Sequence, residues 1–326
     1  MTNISTQPAL PIGIYYEHPD WFRPLFAELD RRGIPYTKID VTRHFYDPAS
    51  QTEASEYSLV FNRMSPSAYL RGGANSLFYT KGYLAHLERC GVPVINGSKA
   101  YGYETSKAEQ ILLLEDLNFG YPKSLVINHG SLAPVAAESL RFPVVVKANI
   151  GGSGAGIVRY DTPEALKHAA NNDEIDLGID GTALVQEYTP ARGGFITRVE
   201  TLGGKYLYAI DVHTDGSSFN LCPADICQTS GGVALSRNAC PADAPKSGLT
   251  VEAVTPPEEV IAAVEQIVQA AGIDVGGVEF MIDDRDGRLV YYDINALSNF
   301  VADARRVIGF DPHERLVDFL VQKARL

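Results

Sequence analysis

Apolar and polar positions follow two rhythms along this chain. In the first hundred residues, short continuous apolar runs at 12–16, 36–41, 58–62 and 92–95 read as strands. Between them, 20–32 and 77–89 carry a helical period, with Asp20 placed to cap the first helix and Gly33 to close it. Strands that are apolar throughout, alternating with helices, predict a parallel sheet covered on both faces: a small doubly wound α/β domain ending near residue 103. A helix at 105–118, closed by Gly120 and Pro122, opens the next region. It continues with strands at 123–127, 142–147, 157–160 and 183–187 and helices at 131–140 and 163–171.

From residue 195 the rhythm becomes antiparallel. Runs at 195–202 and 206–212 flank Gly203-Gly204, a hairpin turn. The stretch 217–250, rich in Gly, Pro, Asp and Cys, shows no assignable period, and helices follow at 257–271 and 312–324. No internal repeat is visible. The expected division is 1–103, 104–190 and 191–326.

Between those last two helices lies the densest chemistry. Gly277–Ile282 and Leu289–Asn295 flank the Asp/Gly-rich turn 283–288, the pattern of a β-hairpin. Glu279 lies seven residues before Asp286 and Asp293 seven after, which places the two carboxylates opposite each other. Asn295, two residues on, shares their face. Two carboxylates and an amide among apolar neighbours repel unless a cation joins them, and an all-oxygen set suits Mg²⁺. The competing reading is two carboxylates on a solvated strand face.

Composition narrows the field. The chain has 326 residues, enough for about two or three domains. Its net charge of -12 argues against nucleic acid as a partner. No apolar run reaches a membrane span of roughly 20 residues, and the N-terminal residues carry no secretory pattern, so a cytoplasmic protein is expected. Cys222, Cys227 and Cys240 do not have zinc-site spacing, and with Cys90 they are expected to be reduced thiols.

A second chemical feature follows the strand 142–147. Lys147 ends it, and the loop beyond holds Gly151, Gly152, Ser153, Gly154 and Gly156. Closely spaced glycines let backbone N–H groups cradle phosphate oxygens, with the Lys147 ammonium beside them. The loop is neither a Walker A motif nor a GxGxxG turn, because a strand rather than a helix follows; a plain hairpin loop is the alternative. Lys107 begins a helix, and Gln186-Glu187-Tyr188 ends a strand where backbone groups could read an adenine edge. Arg198 lies on the face opposite Thr197 and Val199.

In order and spacing, these pieces resemble the ATP-grasp superfamily, in the branch of glutathione synthetase and the RimK-type glutamate ligases. The resemblance runs from about residue 105 to 299. It implies an ATP-grasp fold behind an N-terminal doubly wound domain. It also implies an ATP-dependent ligase that joins a carboxylate to an amine through an acyl phosphate. By the same resemblance, Lys107, Lys147 and the glycine loop hold ATP phosphates, and Gln186, Glu187 and Tyr188 meet the adenine. Arg198 is the catalytic arginine, and Glu279, Asp293 and Asn295 hold one or two Mg²⁺, with Mn²⁺ as a substitute. Asn220 matches a family asparagine near the reacting phosphate. The implied partners are a small carboxylate and an amine, an amino acid or short peptide, with a homodimer as the expected assembly.

Departures bear on the substrate. Asp293 stands where the family usually has Glu, and Ala296-Leu297-Ser298-Asn299-Phe300 replaces a small-residue and Pro-Gly segment. The strand ending 209–213 lacks the family's paired arginines, so a glutamate-like acceptor is not supported. Arg63, after a strand of the first domain, and Arg305 with Arg306, past the hairpin, are the substrate candidates; surface or capping roles compete. A kinase on the same scaffold and an ATP-binding protein without turnover are the alternative functions.

Overall fold

The structure, a computed structural model, describes residues 10–52, 56–151, 156–213 and 250–325. The first sheet is wholly parallel in the order β2-β1-β3-β4, with β1 at Ile12–Tyr16, β2 at Tyr36–Asp40, β3 at Leu59–Arg63 and β4 at Val94–Ile95. Every residue of β1 and β3 is buried, as continuous apolar strands require when both sheet faces are covered. Helix α1 (Arg23–Arg32) packs Leu25, Phe26 and Leu29 on one side, and α2 (Ala74–Arg89) packs Leu77, Leu84 and Leu87 on the other.

Two expectations shift here. Residues 19–22 form a 3-10 turn and α1 begins only at Arg23, so Asp20 does not cap it. Pro24 explains the break, since proline fits a first helical turn but not a helix interior. Gly33 closes α1 in the left-handed region, as expected. Helix α3 (Ser98–Glu104) has no counterpart in the sequence reading; it is short and its period is interrupted by Gly102.

Helix α4 (Lys107–Asp116) leads into an antiparallel sheet in the order β5-β8-β6-β7. Its strands are β5 (Ser124–Ile127), β6 (Val144–Ala148), β7 (Val158–Tyr160) and β8 (Ala183–Glu187). Helices α5 (Ala133–Ala137) and α6 (Pro163–Asn171) cover one side.

The third sheet is antiparallel, ordered β11-β10-β9-β12-β13. It comprises β9 (Phe195–Leu202), β10 (Lys205–His213), β11 (Val251–Val254), β12 (Val275–Ile282) and β13 (Leu289–Asn295). Gly203 and Gly204 turn the β9–β10 hairpin at φ of 62° and 71°, a region that L side chains adopt rarely. One face packs Val199, Val278 and Ile294 against α7 (Glu258–Ala271). Past β13 come α8 (Ala304–Val307) and α9 (Pro312–Ala324), and α9 shares a core with α1.

Asn96 ties the edge of the first sheet to the third with four hydrogen bonds. Asn96, buried after β4, donates through Nδ2 to the carbonyls of Val275 (2.7 Å) and Ala296 (2.6 Å). Its Oδ1 accepts from the N–H groups of Asp274 (2.8 Å) and Val275 (3.1 Å). No helix among the described residues is long and apolar enough to cross a membrane.

Candidate active site

The face of the third sheet away from α7 carries two neighbouring polar rows. In the first, Ile210, Arg198, Glu279 and Asp293 lie side by side across β10, β9, β12 and β13. In the second, two residues along, stand Tyr208, Glu200, Gly277 and Asn295. The expected pairing of Glu279 with Asp293 is present, by a route the sequence count did not foresee. Near the turn the register is Phe280 with Tyr291, and a bulge at Tyr292 shifts it so that Glu279 meets Asp293. Bulges re-aim side chains in this way. Here the bulge also brings the Tyr292 hydroxyl to donate to Glu279 Oε2 at 2.7 Å.

The two carboxylates are joined by protein cations. Arg198 donates from Nη1 to Glu279 Oε1 at 2.9 Å and from Nε to Glu200 Oε1 at 2.6 Å. Lys107, in the first turn of α4, donates from Nζ to Asp293 Oδ1 and to Gln110 Oε1 (3.3 Å). Burial alone would raise the Asp293 carboxyl, but Lys107 at contact, with Lys147 and Arg198 beyond it, holds it below the ordinary range. Glu279 goes the other way: burial, then the negative Asp293, raise it against the pull of Arg198 and Tyr292.

Lys147 sits at the end of β6, 8% exposed, and forms no hydrogen bond or ion pair among the described residues. Burial, then repulsion from Lys107, push its ammonium down to about 8. Asn149, two residues on, ties this corner together. Its side-chain oxygen accepts from the Ala108 N–H at 2.9 Å and the Ser106 hydroxyl at 3.2 Å, and its carbonyl accepts from the Lys107 N–H at 3.1 Å. The start of the glycine loop is thereby docked on the N-terminus of α4, which sets Lys107 near Lys147. Gly151 and Gly156 flank the loop; Gly152, Ser153 and Gly154 lie outside the described residues, as do Asn220, Cys222, Cys227 and Cys240.

The remaining expected residues divide. Gln186 is buried and donates to the Ser124 hydroxyl at 2.7 Å. The N–H groups of Glu187 and Tyr188 are engaged by the carbonyls of Lys123 and Pro143, both at 2.9 Å, so at those two residues the N–H groups are committed within the sheet. Arg63 is buried at the end of β3, with Nη2 donating to the Ser298 carbonyl and to Asn299 Oδ1 (3.0 Å). Arg305 is not drawn to the cluster: it is 67% exposed on α8 and paired with Glu314 at 2.7 Å. Arg306 is likewise exposed and paired with Asp303. Glu200 and Asn149 were not singled out from the sequence. Strand alternation places Glu200 on the face of Arg198, a signal that was available; Asn149 carried none beyond its place beside the glycines.

The donor chemistry of Glu279, Asp293 and Asn295 fits a hard divalent cation. All three offer oxygen and share one sheet face.

Against solved structures the fold match is extensive. ATP-grasp ligase PsnB, complexed with a phosphomimetic variant of its minimal precursor, Mg and ADP, aligns over 96% of this chain and 98% of its own, with a TM-score of 0.65 and 16% identity. D-alanine–D-alanine ligase from Bacillus anthracis aligns over 97% and 98%, with a TM-score of 0.65 and 16% identity. The chain has the ATP-grasp fold. Among curated proteins, the chain is similar to relatives described as probable α-L-glutamate ligases. One from Thioalkalivibrio sulfidiphilus is 26% identical over 225 residues, 64% of this chain and 72% of that protein. One from Pseudomonas putida is 26% identical over 178 residues, 54% of this chain and 58% of that protein. No family model matches the chain. Both kinds of similarity group this chain with proteins named as ligases.

Proposed function

We propose that this protein is an ATP-dependent carboxylate–amine ligase that works through an acyl phosphate. The observation that carries the reading is the buried Lys147 ammonium, which forms no hydrogen bond or ion pair among the described residues, set near Lys107 beside a pair of carboxylates. Two buried lysines close together repel, and an anion such as phosphate relieves that repulsion. Lys107 and Lys147 hold the phosphates of ATP, and the glycine loop covers them. When bound, Mg²⁺, one ion or two, would be held by Glu279, Asp293 and Asn295 and would neutralise phosphate charge. Arg198, fixed by Glu200 and Glu279, places positive charge where the transferring phosphoryl group carries negative charge.

An oxygen of the substrate carboxylate attacks the terminal phosphorus; the bond to the β-phosphate oxygen breaks and ADP leaves. The amine nitrogen then attacks the acyl carbon, the carbon–oxygen bond to phosphate breaks, and the amine releases a proton to solvent. Positioning and charge neutralisation supply the catalysis, so no nucleophilic side chain is required. The relatives' names and the Mg- and ADP-bound neighbour support this reading.

The test is ADP release from Mg²⁺-ATP with pools of amino acids and small carboxylic acids, with and without hydroxylamine. A hydroxamate from one pool is expected and names the carboxylate. ADP with a stable phosphorylated product and no hydroxamate makes the protein a kinase and overturns the ligase reading.

A further inference from the structure

The chain just past β13 does not hold its shape by itself. Phe300 sits at φ 60°, in the left-handed region that a bulky L side chain adopts rarely, and Asp303 follows at 50°. Such conformations persist where the surroundings over-determine them, and they gather at functional sites. Here the surroundings come from far away in sequence. Gln110 exchanges hydrogen bonds with both backbone groups of Ile294, at 2.8 and 3.1 Å. Asn96 donates to the Ala296 carbonyl at 2.6 Å, and Arg63 donates to the Ser298 carbonyl. Glu104 Oε2 accepts from the Ala296 N–H. Side chains from 63–110 thus grip 294–298 at every second residue, and Asn295 lies inside the grip. From the other side β12 closes on the same residue, because Gly276 leaves no room for a Cβ against the Asn295 carbonyl.

Glu104 is the member of this group that the ligation chemistry leaves without a part. It is the last residue of α3, 6% exposed, and stands three positions before Lys107. Burial pushes its carboxyl up to about 7, and the Ala296 N–H opposes that rise more than Lys107 does. The hydrogen bond therefore favours the charged form of a buried acid. Its place in the backbone matters more. The N–H that Glu104 engages belongs to the peptide plane that also contains the Asn295 Cα. Asn96 holds the next plane by the Ala296 carbonyl. With two successive planes fixed, the direction in which the Asn295 side chain leaves the strand is fixed as well.

We propose that Glu104 is a positioning residue for the cation site, which holds the Ala296 N–H and thereby aims the Asn295 side-chain oxygen at the place faced by Glu279 and Asp293. It touches neither cation nor nucleotide and acts through Asn295. Partners of this kind orient metal ligands and set their affinity. The inference rests on the reading of Asn295 as a cation donor and needs no assumption about the carboxylate or the amine.

Titration of the full chain with Mn²⁺, followed by electron paramagnetic resonance in the presence of a non-hydrolysable ATP analogue, tests the role. E104A is expected to weaken Mn²⁺ binding by about 10- to 100-fold, the range for partners that orient metal ligands. E104Q, whose amide oxygen can accept the same hydrogen bond, is expected to stay within about threefold of the unmodified chain. On an N295A background E104A should add less than about twofold, since residues that act through one another are not additive. An E104A protein that binds Mn²⁺ like the unmodified chain overturns the proposal. So does an E104A loss that repeats in full on N295A, or an equal loss of metal-free analogue binding, the mark of a merely structural role. If E104A does not fold, E104D, which keeps the charge but falls one methylene short of Ala296, takes its place in the same cycle. N295A binding Mn²⁺ like the unmodified chain removes the donor reading of Asn295, and the proposal with it. N295A losing Mn²⁺ while E104A does not removes the proposal alone.

Discussion

The two polar rows lie two residues apart on the same strands and are finished differently. In the first, Lys107 answers Asp293 and Arg198 answers Glu279, although Arg198 is shared with Glu200 of the second. In the second, Glu200 and Asn295 flank a glycine and keep buried atoms unsatisfied among the described residues. A satisfied buried network fixes geometry, and an unsatisfied one waits for a partner. The difference separates a fully paired charge array from a row with spare hydrogen-bonding atoms, although the backbone beneath them is one continuous sheet.

Substitutions can break this contrast, starting with the row that is complete. Asp293→Asn leaves Lys107 without its counter-charge and removes a carboxylate donor; ATP turnover should fall by roughly a thousandfold or more, with the thermal transition little changed. Turnover near the original rate would remove the metal-ligand assignment. Asn96→Ala attacks the second row through its support, because Asn96 holds the Ala296 carbonyl next to Asn295. With buried backbone groups left unbonded, urea titration should register a loss of about 2–4 kcal/mol. An unchanged midpoint would mean that the latch contributes nothing.

Lys147→Met asks whether the first row can bind nucleotide without a cation from outside it. ATP affinity should drop about 10- to 100-fold by calorimetry. The same lysine predicts a pH dependence. Its folded value of about 8 lies below the ordinary 10.5, so between those values the unfolded chain holds a proton that the free folded protein does not. The free protein therefore gains stability from this group as pH rises through that window. Phosphate needs the protonated form, so ATP affinity should weaken as pH rises above about 8. Both trends should vanish in Lys147→Met. The smallest effect is expected from Tyr292→Phe, which removes one donor to Glu279. A change of about 1 kcal/mol or less in stability and a few-fold in turnover would show that Arg198 alone holds Glu279 in place.

How much of this was legible depended on how local the determinants are. Strands with fixed period, the Gly203-Gly204 turn and the pairing of Glu279 with Asp293 follow from residues close in sequence. The bulge at Tyr292 was not legible, since one extra residue leaves no mark in the apolar pattern. Asn96 looked like an ordinary loop residue, because its partners lie nearly two hundred positions away. Arg63 could be placed at a strand end but not judged buried, since Ser298 and Asn299 close over it from another unit. The Gln186-Glu187-Tyr188 strand end was found, but which of its backbone groups were committed depended on neighbours that pattern alone does not give.

The first turn of α4 is anchored at both ends. Asn149 grips it from the sheet that bears Lys147, and Gln110 grips β13 from the other side, exchanging hydrogen bonds with both backbone groups of Ile294 at 2.8 and 3.1 Å. Lys107 is therefore strung like a tendon between two bodies. Rocking of the glycine-loop sheet against the carboxylate sheet would load this turn, and with it the contact between Lys107 and Asp293.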